Sequence, residues 1–410
     1  MKPEEQYCDF STQAVHGGRY LHGEHAHSAP IYATSTFTFD NAEQGMNRFA
    51  GNENGFIYSR FGNPTTAEAA DAIAKLEAFG LKDEKGDPLE LSALLHSSGQ
   101  SAMVTMFLSN LKAGDKVLTH YSLYGGTHEF LFDFLPGLGI QSLITDFKKI
   151  EETENLLMQN PEIKIIHIES PANPTMDCTD LQAVVTLAKK FQVLVTVDNT
   201  FSTPYLQQPF RFGVDFVFHS TTKFLNGHGN TIGGVLIGKD KAFMKSIVNR
   251  IHKLLGGNSS PFDAFLLLQG LKTLPIRMEK HCSNAKIIAK FLSEHPAVSK
   301  VNFNGLPDHP DYVLSQRQMR HAGAVMSFEL AAGLEGGRKF IDALRICVRA
   351  VSLGTADTLV SHPASMSHSG MKREDRIKSG ITDGLIRMSV GLEDPNDLLQ
   401  DLRQALSATI

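Results

Sequence analysis

What this chain has little of narrows its class first. Four cysteines occur in 410 residues. Cys8, Cys178, Cys282 and Cys347 lie far apart and form no C-x-x-C pair, which argues against a zinc knuckle or a disulfide framework and leaves reduced thiols as the simplest reading. No apolar run reaches the roughly 18 to 20 residues that cross a bilayer, so no membrane partner is expected. There is no block of Lys or Arg, and the formal net charge is -5. A phosphate backbone therefore finds no broad basic surface, and nucleic acid is not an expected partner. Internal repeats and low-complexity tracts are also missing. The opening residues MKPEEQYCDFSTQ lack the charged-then-apolar pattern of a signal peptide, which points to a cytoplasmic protein.

What is present suits a large core. Hydrophobic residues make up 42% of the chain and charged residues 20%, a balance expected of two folded domains and not of disorder. Three regions follow. Residues 1–60, rich in Gly, His and Ser (VHGGRYLHGEHAHSAPIYATSTF), show little helical or strand periodicity and read as an arm, too polar to fold alone, that lies against another part of the protein or a neighbouring subunit. In residues 61–255, helical patterns such as TTAEAADAIAKLEAF alternate with short apolar runs: ALLHSS, KVLTHY, IKIIHIES, VLVTVD, DFVFHS and GGVLIG. That alternation predicts an α/β layer around a mostly parallel sheet. Residues 256–410 mix a helix (SPFDAFLLLQGLKTL) with strand candidates (AVMSFEL, IRMSVGL) and read as a smaller α+β domain.

Ligands of such sheets sit at the carboxyl ends of the strands, and the polar residues cluster there. VLVTVD ends on Asp198. DFVFHSTTK ends on Ser220, Thr222 and Lys223. ALLHSSGQ turns into a helix at Gly99 and Gln100. Tyr124 follows KVLTHY, and Asn173 follows IKIIHIES. These types suit pyridoxal 5′-phosphate: a lysine for its aldehyde, a carboxylate for its pyridine nitrogen, and backbone N–H groups with hydroxyls for its phosphate. An aromatic ring, Tyr124, is available to cover the pyridine face. Taken singly, each residue has a plainer use as a turn former, a packing group or an ion pair; the joint arrangement carries the reading. Two other signals are set aside. His22, His25 and His27 of HGEHAH sit in the arm with no helix or strand to fix them, so no metal site is expected. GHGNTIGG has the wrong spacing for a dinucleotide loop.

VDNTF followed by HSTTKFLNGHG resembles the signature of the Cys/Met metabolism (trans-sulfuration) family of pyridoxal-phosphate enzymes. YSRFGNPT, SSGQSA, LYGGT, SPANPT, VSLG, HPASMSH and IRMSVGLED are similar to further family segments, in family order and over nearly the whole chain. The resemblance implies the aspartate aminotransferase-like fold type I, with Lys223 as the imine-forming lysine, Ser220 and Thr222 on the phosphate, and Asp198 on the pyridine nitrogen. It further implies that Tyr58 and Arg60 reach a neighbour's phosphate, making a homodimer the minimal active unit, within a homotetramer. Arg387 is implied as the clamp on the carboxylate of an amino-acid substrate, with Asn173 and Ser352 nearby. Lys223 and Tyr124 are implied as the proton-moving groups of an elimination that passes through a vinylglycine-type intermediate.

Departures from the family pattern bear on substrate. Where cystathionine-handling members carry a glutamate before S-L-G, this chain has Val351. Where methionine γ-lyases carry a cysteine in LYGGT, it has Gly126, and IHKLL places His252 and Lys253 at the position of their substrate-recognition pair. The favoured activity is a carbon–sulfur lyase reaction, γ-elimination on a methionine- or homocysteine-like substrate to 2-oxobutanoate, ammonia and a thiol. The alternatives are γ-replacement on O-acetyl- or O-succinylhomoserine, cystathionine lysis, and, in a different class, a regulatory protein that binds the cofactor without turnover.

Overall fold

The computed structural model describes residues 9–409 apart from 19, 21, 23, 24, 368 and 379, with only the backbone described at 375 and 378. Its larger sheet is built from β1 (Ser92–His96), β2 (Lys116–Thr119), β3 (Gln141–Ile144), β4 (Ile163–Glu169), β5 (Leu194–Asp198), β6 (Phe216–Ser220) and β7 (Gly234–Gly238). Their order is β1-β7-β6-β5-β4-β2-β3. The run from β6 to β3 is parallel, whereas β7 is antiparallel to both its neighbours. Helices cover both faces of this sheet, which is why its central strands read as apolar runs instead of alternating. β3 was not anticipated: QSLI is short, lies at the sheet edge and is nowhere fully buried, so it lacks the apolar run that marks the others.

A second sheet comprises β8 (Val298–Asn302), β9 (Val325–Leu330), β10 (Val348–Arg349), β11 (Leu359–Ser361) and β12 (Leu385–Ser389), in the order β10-β11-β12-β9-β8. The helix Leu274–Ser293 packs on β8 and β9 and also touches the turn Thr203–Leu206 beside the first sheet. Buried residues of both sheets, Val197 and Val217 with Phe328 and Ile386, belong to one continuous cluster. The two sheets are thus held against each other by apolar burial worth about 25 cal/mol per Å². Cys178, Cys282 and Cys347 are free and buried; Cys8 lies outside the described residues.

The first sixty residues contain more helix than their composition suggests. α1 (Phe10–His16) starts at Asp9, whose side chain accepts the Ser11 N–H. Phe10 meets the rings of Phe79 and Tyr205 at 5.5 and 5.3 Å, docking α1 on its own chain. α2 (Ala42–Ala50) is capped by Asn41 and closed by Gly51 at φ 78°, yet it leaves Met46 63% and Phe49 66% exposed. Each helix is two or three turns long, too short for a repeat to stand out among the surrounding polar residues. His22 pairs with Glu68 at 3.1 Å.

Two further helices lead toward the strand ends. α3 (Pro64–Glu77) begins with Asn63 capping the Thr65 N–H and a proline in its first turn, where a missing N–H costs nothing. α4 (Gly99–Asn110) follows β1 directly, with the Ser98 side chain accepting the Ser101 N–H. Its first backbone N–H groups, those of Gly99 and Gln100, have no intrahelical acceptor.

Candidate active site

The carboxyl ends of β1, β4, β5 and β6 converge, because these strands are near neighbours in one sheet. Asp198 ends β5 and lies opposite Glu169, the last residue of β4. Asp198 Oδ1 accepts the backbone N–H of Thr200 at 2.9 Å and also its hydroxyl, while the Thr200 oxygen accepts the Ser220 N–H at 2.9 Å. One threonine thereby ties the end of β5 to the end of β6. Desolvation raises the Asp198 pKa, the two Thr200 donors oppose that rise, and His219 attracts the charged form.

The α4 start presses on the same corner. A Cβ at Gly99 would sit 2.8 Å from the Ser220 Cβ, so only glycine lets the helix start approach this strand end. The unpaired N–H groups of α4 and the Ser220 hydroxyl are thus concentrated together, a cradle suited to an anion. Thr222 is fixed differently: its hydroxyl oxygen accepts the Gly233 N–H at 3.0 Å and its hydroxyl donates to the Gly233 carbonyl at 3.3 Å, which pins the turn between Lys223 and β7.

Lys223 lies one turn past β6. Its Nζ donates to Ser352 Oγ at 2.7 Å, and burial, helped by the nearby Arg387 charge, pulls the amine down to about 8. Ser352 comes from the loop after β10, with φ at 122°. Its carbonyl accepts from Arg387 Nη2 at 2.9 Å. Arg387, in the middle of β12, brings the second sheet to the crevice of the first, and desolvation lowers its pKa while the Tyr124 phenol pulls the other way. Asn173 precedes Pro174, whose carbonyl accepts from Ser327, the residue opposite Arg387 on β9, and its own Oδ1 is buried and without a partner.

Tyr124 precedes α5 (Gly125–Glu129) and is 56% exposed. Its backbone N–H donates to Glu169 Oε2 at 2.8 Å. Gln100 Nε2 donates to the Gly126 carbonyl at 3.1 Å. A Cβ on Gly126 would lie 2.8 Å from both Gln100 Oε1 and the Tyr124 ring, so a larger residue there would force one of them to move.

The sequence-derived residues are not all gathered by one chain. Tyr58 pairs with Thr36 in an isolated bridge and is 42% exposed. Arg60 donates to the Lys253 carbonyl at 2.9 Å and lies over the Phe61 ring. Among the described residues, none of their hydrogen bonds goes to the Lys223 crevice. His252 turns inward, its Nδ1 3.3 Å from that of His96, and is 6% exposed, which removes it from any substrate surface of its own chain. Glu169 and Thr200 were not anticipated. Glu169 did carry a signal, since it ends IKIIHIE just as Asp198 ends VLVTVD.

These features fit pyridoxal 5′-phosphate: an orphaned amide oxygen at Asn173, an Asp198 carboxylate whose described hydrogen bonds engage only Oδ1, a glycine-lined anion cradle and an amine of lowered pKa. Comparisons with known proteins agree. Residues 11–407 match the model of the Cys/Met metabolism PLP-dependent enzymes. The chain is 44% identical to the L-methionine gamma-lyase of Porphyromonas gingivalis, covering 100% of each chain, and 42% identical to that of Fusobacterium nucleatum subsp. nucleatum, covering 98% of this chain and 99% of the relative. A crystal structure of cystathionine gamma synthase from Xanthomonas oryzae pv. oryzae, in complex with aminoacrylate and cysteine, superposes with a TM-score of 0.88 at 36% identity, covering 98% of this chain and 99% of that one. The strand-end crevice, the fold around it and these full-length likenesses identify the chain as a member of the Cys/Met metabolism family of PLP-dependent enzymes.

Proposed function

We propose that this enzyme is a carbon–sulfur lyase that cleaves a methionine- or homocysteine-like amino acid by γ-elimination, releasing 2-oxobutanoate, ammonia and a thiol. The observation that carries the proposal is the chain of contacts from Lys223 through Ser352 to Arg387, which joins a base to a carboxylate clamp through one residue. Full-length likeness to proteins named L-methionine gamma-lyase supports the substrate class, as does Val351 in place of an acidic residue beside Ser352.

The cofactor would be held by Lys223, by Asp198 at the ring nitrogen, by Tyr124 across the ring, and by Gly99, Gln100, Ser220 and Thr222 around the phosphate. When bound, it supplies a covalent handle for the substrate amine and a ring that withdraws electrons from Cα and Cβ. Arg387 would grip the substrate carboxylate with parallel N–H donors, and Asn173 and Ser352 would orient it. Lys223, with its amine poised near neutrality, would take the Cα proton, hand it on to a carbon of the bound cofactor and, neutral again, take one from Cβ. Tyr124 would give its hydroxyl proton to the departing sulfur, so that a neutral thiol leaves; water then releases the 2-oxo acid and ammonia.

The active unit in this proposal is a homodimer within a tetramer, acting in the cytoplasm. Tyr58 and Arg60 would complete a partner's phosphate site. Their exposure, together with the uncovered Met46 and Phe49 of α2, supports that reading. No helix among the described residues is long and apolar enough to cross a membrane. The test is direct: the purified protein should be yellow, should be labelled at Lys223 after borohydride reduction, and should release 2-oxo acid from methionine. Colour with neither elimination nor replacement on methionine, homocysteine, cystathionine or O-acetylhomoserine plus sulfide would leave only a binding protein.

A further inference from the structure

A second acid lies beside the site, and no step above uses it. Glu169 is 6% exposed and faces Asp198 across the β4–β5 register. Its Oε2 accepts the Tyr124 N–H at 2.8 Å, and the Thr127 hydroxyl also reaches the carboxyl. Its Oε1 is buried with no partner. Just past β2, His120 Nε2 accepts the Glu169 N–H at 2.9 Å; an imidazole accepting there has a free lone pair and is neutral, in line with a pKa that burial pulls down to about 4. From β5 the facing group is Asp198, which His219 on β6 attracts. Neither lysine nor arginine is among the groups that act on Glu169.

Two acids at adjacent strand ends cannot both carry full charge in a dry interior. Asp198 is the better place for the one charge. It takes two donors from Thr200 on Oδ1 and is drawn toward His219. Glu169 is sealed and has one oxygen with no donor, so ionisation there would strand charge on an unpaired atom. Burial and the neighbouring acid accordingly push it up to about 8.

We propose that Glu169 is a positioning residue that works as an uncharged acid, anchoring the main chain at Tyr124 while leaving Asp198 as the charged member of the pair. This rests on the reading of the Lys223 crevice given above. The function it adds is orientation: Tyr124 is largely exposed, and its backbone bond to Glu169 fixes where its ring and hydroxyl begin.

The test combines two variants with a readout independent of turnover. In the cofactor-free protein at pH 7, infrared difference spectroscopy should show the carbonyl stretch of a protonated carboxyl that disappears in Glu169→Gln. Glu169→Ala should lose about tenfold in kcat with KM little changed, and Glu169→Gln, which keeps the acceptor oxygen without charge, should recover all but about threefold of the wild-type value. Absence of the wild-type band, or a Gln variant as impaired as the Ala variant with native circular dichroism, overturns the proposal. Should the Ala variant fail to fold, the infrared band and the Gln variant still decide. Continued borohydride labelling of Lys223 in such a case confines the failure to Glu169; absence of that label in the wild type would instead remove the reading on which the proposal rests.

Discussion

Lys223 and Ser352, 129 positions apart in the chain, meet at 2.7 Å between Nζ and Oγ, with Ser352 held at φ 122°. That left-handed backbone is costly for any residue with a Cβ, by about 1 to 3 kcal/mol. The same residue gives its carbonyl to Arg387. Ser352→Ala and Ser352→Gly should both lose about fivefold in kcat, the worth of one hydrogen bond of about 1 kcal/mol. They should differ in stability: the glycine variant, free of the strain, should be about 1 kcal/mol more stable than the alanine variant in urea denaturation. Equal stabilities would show that the strain at this position is not felt.

Lys223 should betray its lowered pKa without any substrate. In cofactor-free protein, acylation of Lys223 followed by peptide mass spectrometry should rise with pH through a midpoint near 8, the value set first by burial and then by Arg387. Only the neutral amine reacts, so Arg387→Gln should move the midpoint upward. A midpoint at the ordinary lysine value of about 10.4 would contradict the burial seen here.

Arg387→Lys keeps the charge but loses the planar fork that matches a carboxylate. KM for methionine should rise about ten- to a hundredfold while kcat changes far less, because a carboxylate is held equally in ground and transition states. A drop confined to kcat would show that Arg387 acts on the reacting bonds instead.

Stability should fall in mild acid for a reason separate from the catalytic groups. Burial pulls His120, His252 and His281 down to about 4 and His167 to about 3, against about 6.5 when unfolded. Above the unfolded value neither state binds the extra protons and nothing is lost. As pH falls from about 6.5 toward about 4 the unfolded chain takes them up first, so each histidine removes about 1.4 kcal/mol per pH unit across that window. Calorimetry between pH 7.5 and 5 should show a steepening decline in Tm, and His281→Asn should flatten it. A pH-independent Tm over this range would refute the assignment of neutral buried histidines.

Much of this arrangement could be read without coordinates. The apolar runs around β1, β2, β4, β5, β6 and β7 are visible because strands covered on both faces need continuous apolar residues. The strand-end placement of Asp198, Ser220 and Lys223 followed from those runs. β3 escaped notice because an edge strand needs no such run, and α1 and α2 because a helix of two or three turns leaves a weak repeat. Glu169 was passed over although it ends its strand as Asp198 does: a single acid at the end of an apolar run looks like a turn residue until its neighbour is known.

The local code determined which segments become strands, where each stops, and which chemical groups stand at those stops, since burial pattern and turn chemistry act over a few residues. Long-range packing alone decided that Ser352, from the loop after β10, and Arg387 of the second sheet meet Lys223 beyond the first, that His252 faces His96 in the interior, and that two acids share one corner. Those outcomes depend on strand order and on how one sheet docks on another, and the free energy that sets them comes from contacts between residues from tens to more than a hundred positions apart.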